Sequence, residues 1–276
     1  MTVLQIETID QIQLKAEYFQ ADLPSEKIVL ISPATGVKKH IYNQFAQFLN
    51  QHGFDVLTWD WRGIADNLKG DIKKVPYRME DWAKKDLNAM ILWATEKYPQ
   101  EQIFAVGHSF GGQGLGLASD IHHVKAIVTV ATQSGYWKHW PHNQRYQFAT
   151  LWYGVMPVLS HAMGYFPAKK LGLGENLPKG VALQWASWGR NANYMTDYDG
   201  HAQMKQPILA YYMTDDLFAP QEAVKALHQH YHQCKIEYRE VTPQELNVKS
   251  IGHFGFFKHI EAQKLWLEVI HFFNNS

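Results

Sequence analysis

The chain of 276 residues has one cysteine, Cys234, which excludes an internal disulfide. Cys234 lies between a predicted helix and a predicted strand with no metal-ligand spacing around it, so a structural role is expected. Charge of either sign is not in excess. There are 26 basic and 26 acidic side chains and no long basic run, so nothing calls for a nucleic-acid partner. Glycines 111, 112, 114 and 116 do not form G-x-G-x-x-G, which removes the case for a dinucleotide cofactor. The start, Thr2 to Ile6, lacks the basic residues and apolar block of a secretory signal, and a cytoplasmic protein is expected. The longest stretch without Asp, Glu, Lys or Arg runs from Tyr146 to Ala168. Gly154, Pro157 and Gly164 interrupt it, so it reads as a buried or lid segment and not as a stable membrane insertion. Internal repeats and low-complexity tracts are missing too.

What is present alternates. Residues 2–20 switch between apolar and polar and predict two strands paired as a hairpin. Lys27 to Ser32 predicts a buried strand, Ile41 to His52 a helix stopped by Gly53, and Asp55 to Trp59 a strand. A long amphipathic helix is predicted over Glu80 to Tyr98. A strand over 102–106, a helix over 109–119 and a strand over Ala126 to Val130 follow. Alternation resumes with a strand at Pro207 to Met213, a helix at Pro220 to His232, a strand at Ile236 to Val241 and a helix at Phe254 to Phe273. Continuous apolar strands separated by helices predict an α/β protein with a mostly parallel sheet covered on both faces. Between these halves, about Thr132 to His201, the pattern fails. That stretch holds five of the ten tryptophans, Trp137, Trp140, Trp152, Trp185 and Trp188. The expected organisation is a core of residues 1–131 and 202–276 with an inserted helical cap at 132–201.

Residues 102–112, Gln-Ile-Phe-Ala-Val-Gly-His-Ser-Phe-Gly-Gly, carry the most chemistry. Gly107-His108-Ser109-Phe110-Gly111 is G-x-S-x-G between a predicted buried strand and a predicted helix. A serine at such an apex needs a strained backbone and neighbours without side chains, which the two glycines supply. Ser109 is the candidate nucleophile, with its hydroxyl at a helix N-terminus. By contrast, His228 and His232 stand one turn apart on a helix without a third ligand. A solvated face is expected there, and no metal.

The segment Gly-His-Ser-Phe-Gly-Gly resembles the nucleophile elbow of the α/β-hydrolases, and the resemblance extends over nearly the whole chain. It is closest to bacterial predicted hydrolases with an early A-T-G-V loop and a late G-H-F-G-F-F. The resemblance implies the α/β-hydrolase fold and a triad in the order Ser, acid, His. Asp215-Asp216-Leu217-Phe218-Ala219-Pro220 is similar to the family's D-x-x-x-P loop. That match places the acid at Asp216, with Asp215 as competitor. The base is expected on the loop before the last helix, at His253 between Gly252 and the Phe254-Gly255 pair. His259 is a weaker rival, and His108 is expected to pack the elbow. For the oxyanion, the resemblance implies the amides of Phe110 and of Ala34, in the loop Ser32-Pro33-Ala34-Thr35-Gly36. Thr35 is the alternative to Ala34, because Ser-Pro stands where many relatives have His-Gly. Asp60-Trp61-Arg62-Gly63 resembles a family turn with a structural role.

The expected function is a serine hydrolase acting on an acyl ester, thioester or amide of a small apolar substrate through an acyl-enzyme, without metal or organic cofactor. An acyltransferase using the same triad, or a non-catalytic ligand-binding relative, are the alternatives. The sequence leaves the bond type and the oligomeric state open.

Overall fold

Four short apolar segments make the centre of the molecule. In the computed structural model, which describes residues 1–22, 25–99, 102–195 and 198–276, the strands are β1 (Thr2–Glu7), β2 (Gln13–Phe19), β3 (Ile28–Ser32), β4 (Asp55–Trp59), β5 (Ile103–His108), β6 (Ala126–Val130), β7 (Tyr165–Phe166), β8 (Leu177–Pro178), β9 (Ile208–Met213) and β10 (Ile236–Val241). Every residue of β3, β4, β5 and β6 is buried. Such strands must be covered on both faces, as the missing polar alternation predicts. The main sheet runs in the order β1-β2-β4-β3-β5-β6-β9-β10. The β1–β2 and β2–β4 pairs are antiparallel, and all other neighbours are parallel.

The period of two sorts the strand residues into two cores. Leu30, Leu57 and Ala105 join one cluster with Trp61, Trp82 and Ile91. Val29, Val56, Phe104 and Val106 join the other with Phe45, Leu49 and Trp266. The turn after β4 ties the first cluster to the site. Trp61 donates its indole N–H to the Pro33 carbonyl (3.0 Å), and its ring stacks on Trp82. Arg62 is fully buried, with Nε 2.6 Å from Asp86 and Nη1 2.7 Å from Asp10. A buried guanidinium needs these partners, and the structural role expected of Asp60-Trp61-Arg62-Gly63 has this physical content.

Helix ends depart from expectation where tertiary packing intervenes. The segment predicted as one helix over 109–119 is helical only at Phe110–Gln113, followed by a tight turn at Leu115–Leu117. Four glycines weaken a helix there, and at Gly116 the His201 ring leaves no room for a Cβ (2.5 Å). The predicted Glu80 to Tyr98 helix runs from Met79 to Thr95 and widens at Trp82–Leu87. The predicted Phe254 to Phe273 helix is broken. Gly255–Lys258 and Gln263–Asn274 are separate helices, with His259 extended between them.

Between β6 and β9 the chain leaves the sheet and forms the helices His142–Thr150, Met156–Met163 and Lys179–Arg190 and the β7–β8 ribbon. Among the described residues no helix is long and apolar enough to cross a membrane. His228 corrects an expectation. It is buried, its Nδ1 bonds the Val224 carbonyl (2.8 Å) and its Nε2 meets the Thr129 hydroxyl (3.1 Å). Both ring nitrogens are thus engaged in packing, whereas His232 lies beyond the end of the helix and is exposed as expected. Cys234 is half-buried, and burial pushes its thiol up to about 11, so it stays protonated and unreactive.

Candidate active site

The carboxyl ends of parallel strands are where an α/β sheet gathers loops, and the candidate residues follow β3, β5, β9 and β10 there. Ser109, directly after β5, has φ 50° and ψ −117°, a conformation costly for a residue with a side chain. Its N–H donates to the Val130 carbonyl (2.9 Å), and its carbonyl accepts from the amides of Gly112 (3.0 Å) and Gln113 (3.1 Å). The flanking glycines are required by contact. A Cβ at Gly107 would lie 2.4 Å from Gly112 Cα, and one at Gly111 would lie 2.0 Å from the Ser32 carbonyl oxygen. The helix that follows is only four residues long, so fixed amides rather than a long helix dipole are what Ser109 has beside it.

Asp216 and His253 meet directly, Oδ2 to Nδ1, at 2.7 Å. The other carboxylate oxygen accepts from the amides of Phe218 (2.8 Å) and Ala219 (3.2 Å). A carboxylate only accepts, so Nδ1 carries the proton and Nε2 is left with a lone pair. Asp215 serves the same loop from outside. It accepts from the Ser250 hydroxyl (2.7 Å) and from the amides of Ile251 (2.8 Å) and Gly252 (3.1 Å). Burial alone would raise the Asp215 carboxyl, but these donors hold it below its ordinary value. The neighbouring aspartates thus have different tasks: Asp216 holds the ring and Asp215 holds the backbone that carries it.

His108 links the elbow to that backbone. Its Nε2 donates to the His253 carbonyl (2.8 Å), which fixes the tautomer, so Nδ1 accepts from the Tyr42 hydroxyl (3.0 Å). Burial, and then the neighbouring His253 ring, hold His108 well below its ordinary value, so it is neutral. The Tyr42 oxygen in turn accepts from the Ala34 amide (2.9 Å). The Ala34 N–H is thus already engaged with Tyr42. Among the described residues the amides of Thr35 and Phe110 have no acceptor, and the Thr35 hydroxyl is buried without a partner.

A family profile of the alpha/beta hydrolase fold matches residues 27–156. The chain is similar in structure to DcsB in complex with its substrate analogue (TM-score 0.70, 18% identity, covering 99% of this chain and 98% of that one). It is likewise similar to a soluble variant of monoglyceride lipase from Saccharomyces cerevisiae in complex with a substrate analog (TM-score 0.71, 12% identity, 100% and 96%). The third is the esterase EaEST from Exiguobacterium antarcticum (TM-score 0.65, 14% identity, 99% and 100%). The chain has the α/β-hydrolase fold. Among curated proteins no sequence match was found.

In this fold, Ser109 and His253 line one cavity of about 470 Å³ together with Thr35. Trp140, Phe148, Trp152, Met156 and Trp185, all from the stretch between β6 and β9, form much of its wall. Two of these tryptophans are fixed by their N–H groups, Trp140 on the Leu217 carbonyl (2.9 Å) and Trp152 on the Gly135 carbonyl (3.0 Å). Trp137 and Trp188 pack instead against tyrosines, Trp137 on Tyr136 and Tyr146, Trp188 on Tyr194 and Tyr198. His259 does not line the cavity. Sequence reasoning missed Tyr42, which lies in no motif, and Gln133, which follows β6 and lines the cavity.

Proposed function

We propose that the protein is a serine hydrolase that cleaves an acyl ester, with thioesters and amides as the neighbouring possibilities, of a small and mainly apolar substrate. The observation that carries this reading is the strained Ser109 opening onto the same apolar cavity as a His253 already bonded to Asp216. Ser109 Oγ attacks the acyl carbon while its proton passes to His253 Nε2, and the carbonyl electron pair moves onto oxygen. The amides of Phe110 and Thr35, which lack acceptors of their own, are the donors for that oxyanion. Collapse of the tetrahedral intermediate breaks the bond to the leaving group, which takes the proton from His253. Water, deprotonated by the same ring, then releases the acid and restores Ser109. Residues 132–201 act in this reading as a cap over the cavity.

A fluorophosphonate tests the reading. It is expected to label the protein once, on the peptide holding Ser109, and the labelling should vanish in Ser109→Ala. Undiminished labelling of Ser109→Ala, or none of the folded native chain, would overturn it.

A further inference from the structure

Behind the cavity wall runs a chain of polar side chains whose direction is set at one end. The Trp185 indole N–H, which can only donate, lies 3.1 Å from the Tyr194 hydroxyl. Tyr194 therefore accepts there and spends its single proton on Gln113, 2.8 Å away. The Gln113 atom facing Tyr194 must be its oxygen, which turns its amide nitrogen toward Gln133 (3.3 Å). The Gln133 atom facing Gln113 is then its oxygen. Its NH₂ group is left over, with no acceptor given for it among the described residues, on a side chain that lines the cavity while only 5% exposed.

The chain is held rigidly. Tyr194 is buried with φ 53°, a conformation rare for a bulky residue and a pointer to function where packing sustains it. Its ring lies where a Cβ at residue 135 would be, 2.5 Å away, so only Gly135 fits beside it. The Gln113 carbonyl accepts from His201 Nε2 (2.7 Å). An amide donor that faces the cavity loses water when an apolar ligand fills it, and a ligand that supplies an acceptor avoids that cost.

We infer that Gln133 is a specificity residue whose NH₂ group binds an acceptor oxygen of the substrate, away from the reacting carbonyl. The substrate class is thus an apolar acyl compound that carries a keto, ether or second carbonyl oxygen, rather than a plain hydrocarbon chain. A hydroxyl could serve as well, through its lone pairs. The inference rests on the proposed hydrolase reading for its site and goes beyond it in substrate class.

The test uses fluorophosphonates with an alkyl chain and matched chains in which one methylene is replaced by oxygen, moved stepwise along the chain. Labelling of Ser109 by the alkyl probe checks the parent reading by itself. For one oxygen position the native protein should react roughly 3–10-fold faster than with the alkyl probe, the range of one neutral hydrogen bond. Gln133→Met should remove that preference, so that the ether and alkyl probes react at equal rates with it. Gln133→Glu, which can still accept from Gln113 but offers carboxylate oxygen to the cavity, should reverse it. Tyr194→Phe should weaken it, since both amides can then turn. Thermal shifts with the corresponding unreactive alcohols read the same preference without chemistry, so a protein that fails to label still tests the subsite. Equal rates for all probes in the native protein, or a preference unchanged in Gln133→Met and Gln133→Glu, would overturn the inference.

Discussion

Asp215 and Asp216 are adjacent acids that differ in what they touch. Only Asp216 meets a ring nitrogen, and Asp215 meets a hydroxyl and two amides of the loop beneath it. Loss of the orienting acid in a Ser-His-acid system costs about 10⁴ in turnover. Asp216→Asn is therefore expected to fold and to lose about four orders of magnitude in kcat. Asp215→Asn loses charge-assisted bonds worth about 1.5–3 kcal/mol each. Its main effect should be a lower Tm, with kcat falling by less than about 100-fold. Esterase kinetics and thermal melts on both variants check the pair, and equal losses of kcat would assign the two carboxylates one shared task. The sequence placed these acids on the right turn because strand, turn and helix are consecutive there. It could not divide their labour, since Asp215's partners lie on a loop some thirty-five positions away.

The elements show where local reading stops. Gly107 was legible because the contact that requires it, with Gly112, follows from one sharp turn, whereas Gly111 was legible only through the motif, since its contact is with Ser32 of β3. The link from Ala34 through Tyr42 and His108 to His253 was not, because it joins two loops, a short helix and the end of β5, which only the fold brings together. The Phe254 to Phe273 helix broke for a similar reason: the helix Gly255–Lys258 packs Phe256 and Phe257 against Tyr42, Phe45 and Tyr211, and a second helix is needed to carry Trp266 to Phe45. Within residues 132–201, Trp152 and Trp185 belong to the cavity wall, whereas Trp188 does not. Each methylene buried there contributes about 0.8 kcal/mol. For p-nitrophenyl esters, kcat/KM is expected to rise several-fold for each two-carbon step until the cavity fills. Trp185→Ala should move the preferred length more than it changes the rate on the acetyl ester. Equal efficiency on acetyl, butyryl and octanoyl esters would show that this wall does not hold the acyl chain.

Across the whole molecule, buried histidines set the response to acid. Burial holds His201 and His228 down at about 4 and His108 well below its ordinary value. An unfolded imidazole titrates at about 6.5. Above that pH these rings are neutral in both states and cost nothing. As pH falls from about 6.5 toward 4, the unfolded chain binds protons that the folded one refuses, and stability drops. His201 and His228 should each remove about 2 kcal/mol by pH 5. Urea titrations at pH 7, 6 and 5 are expected to show this decline, with a shallower slope in His228→Gln. A stability unchanged from pH 7 to pH 5 would show that these rings take up protons while the protein stays folded.

The ladder from β6 to β9 pairs Ile127 with Ile208, so the sheet closes only after the long stretch between them has been made. A ribosome delivers residues in order, and Ser109 leaves it well before Asp216 and His253. The growing chain therefore carries the Ser109 hydroxyl without the His253–Asp216 pair until almost the last segment has emerged. In the proposed reading the hydroxyl therefore stays inactive throughout synthesis, because its base is among the last residues to arrive.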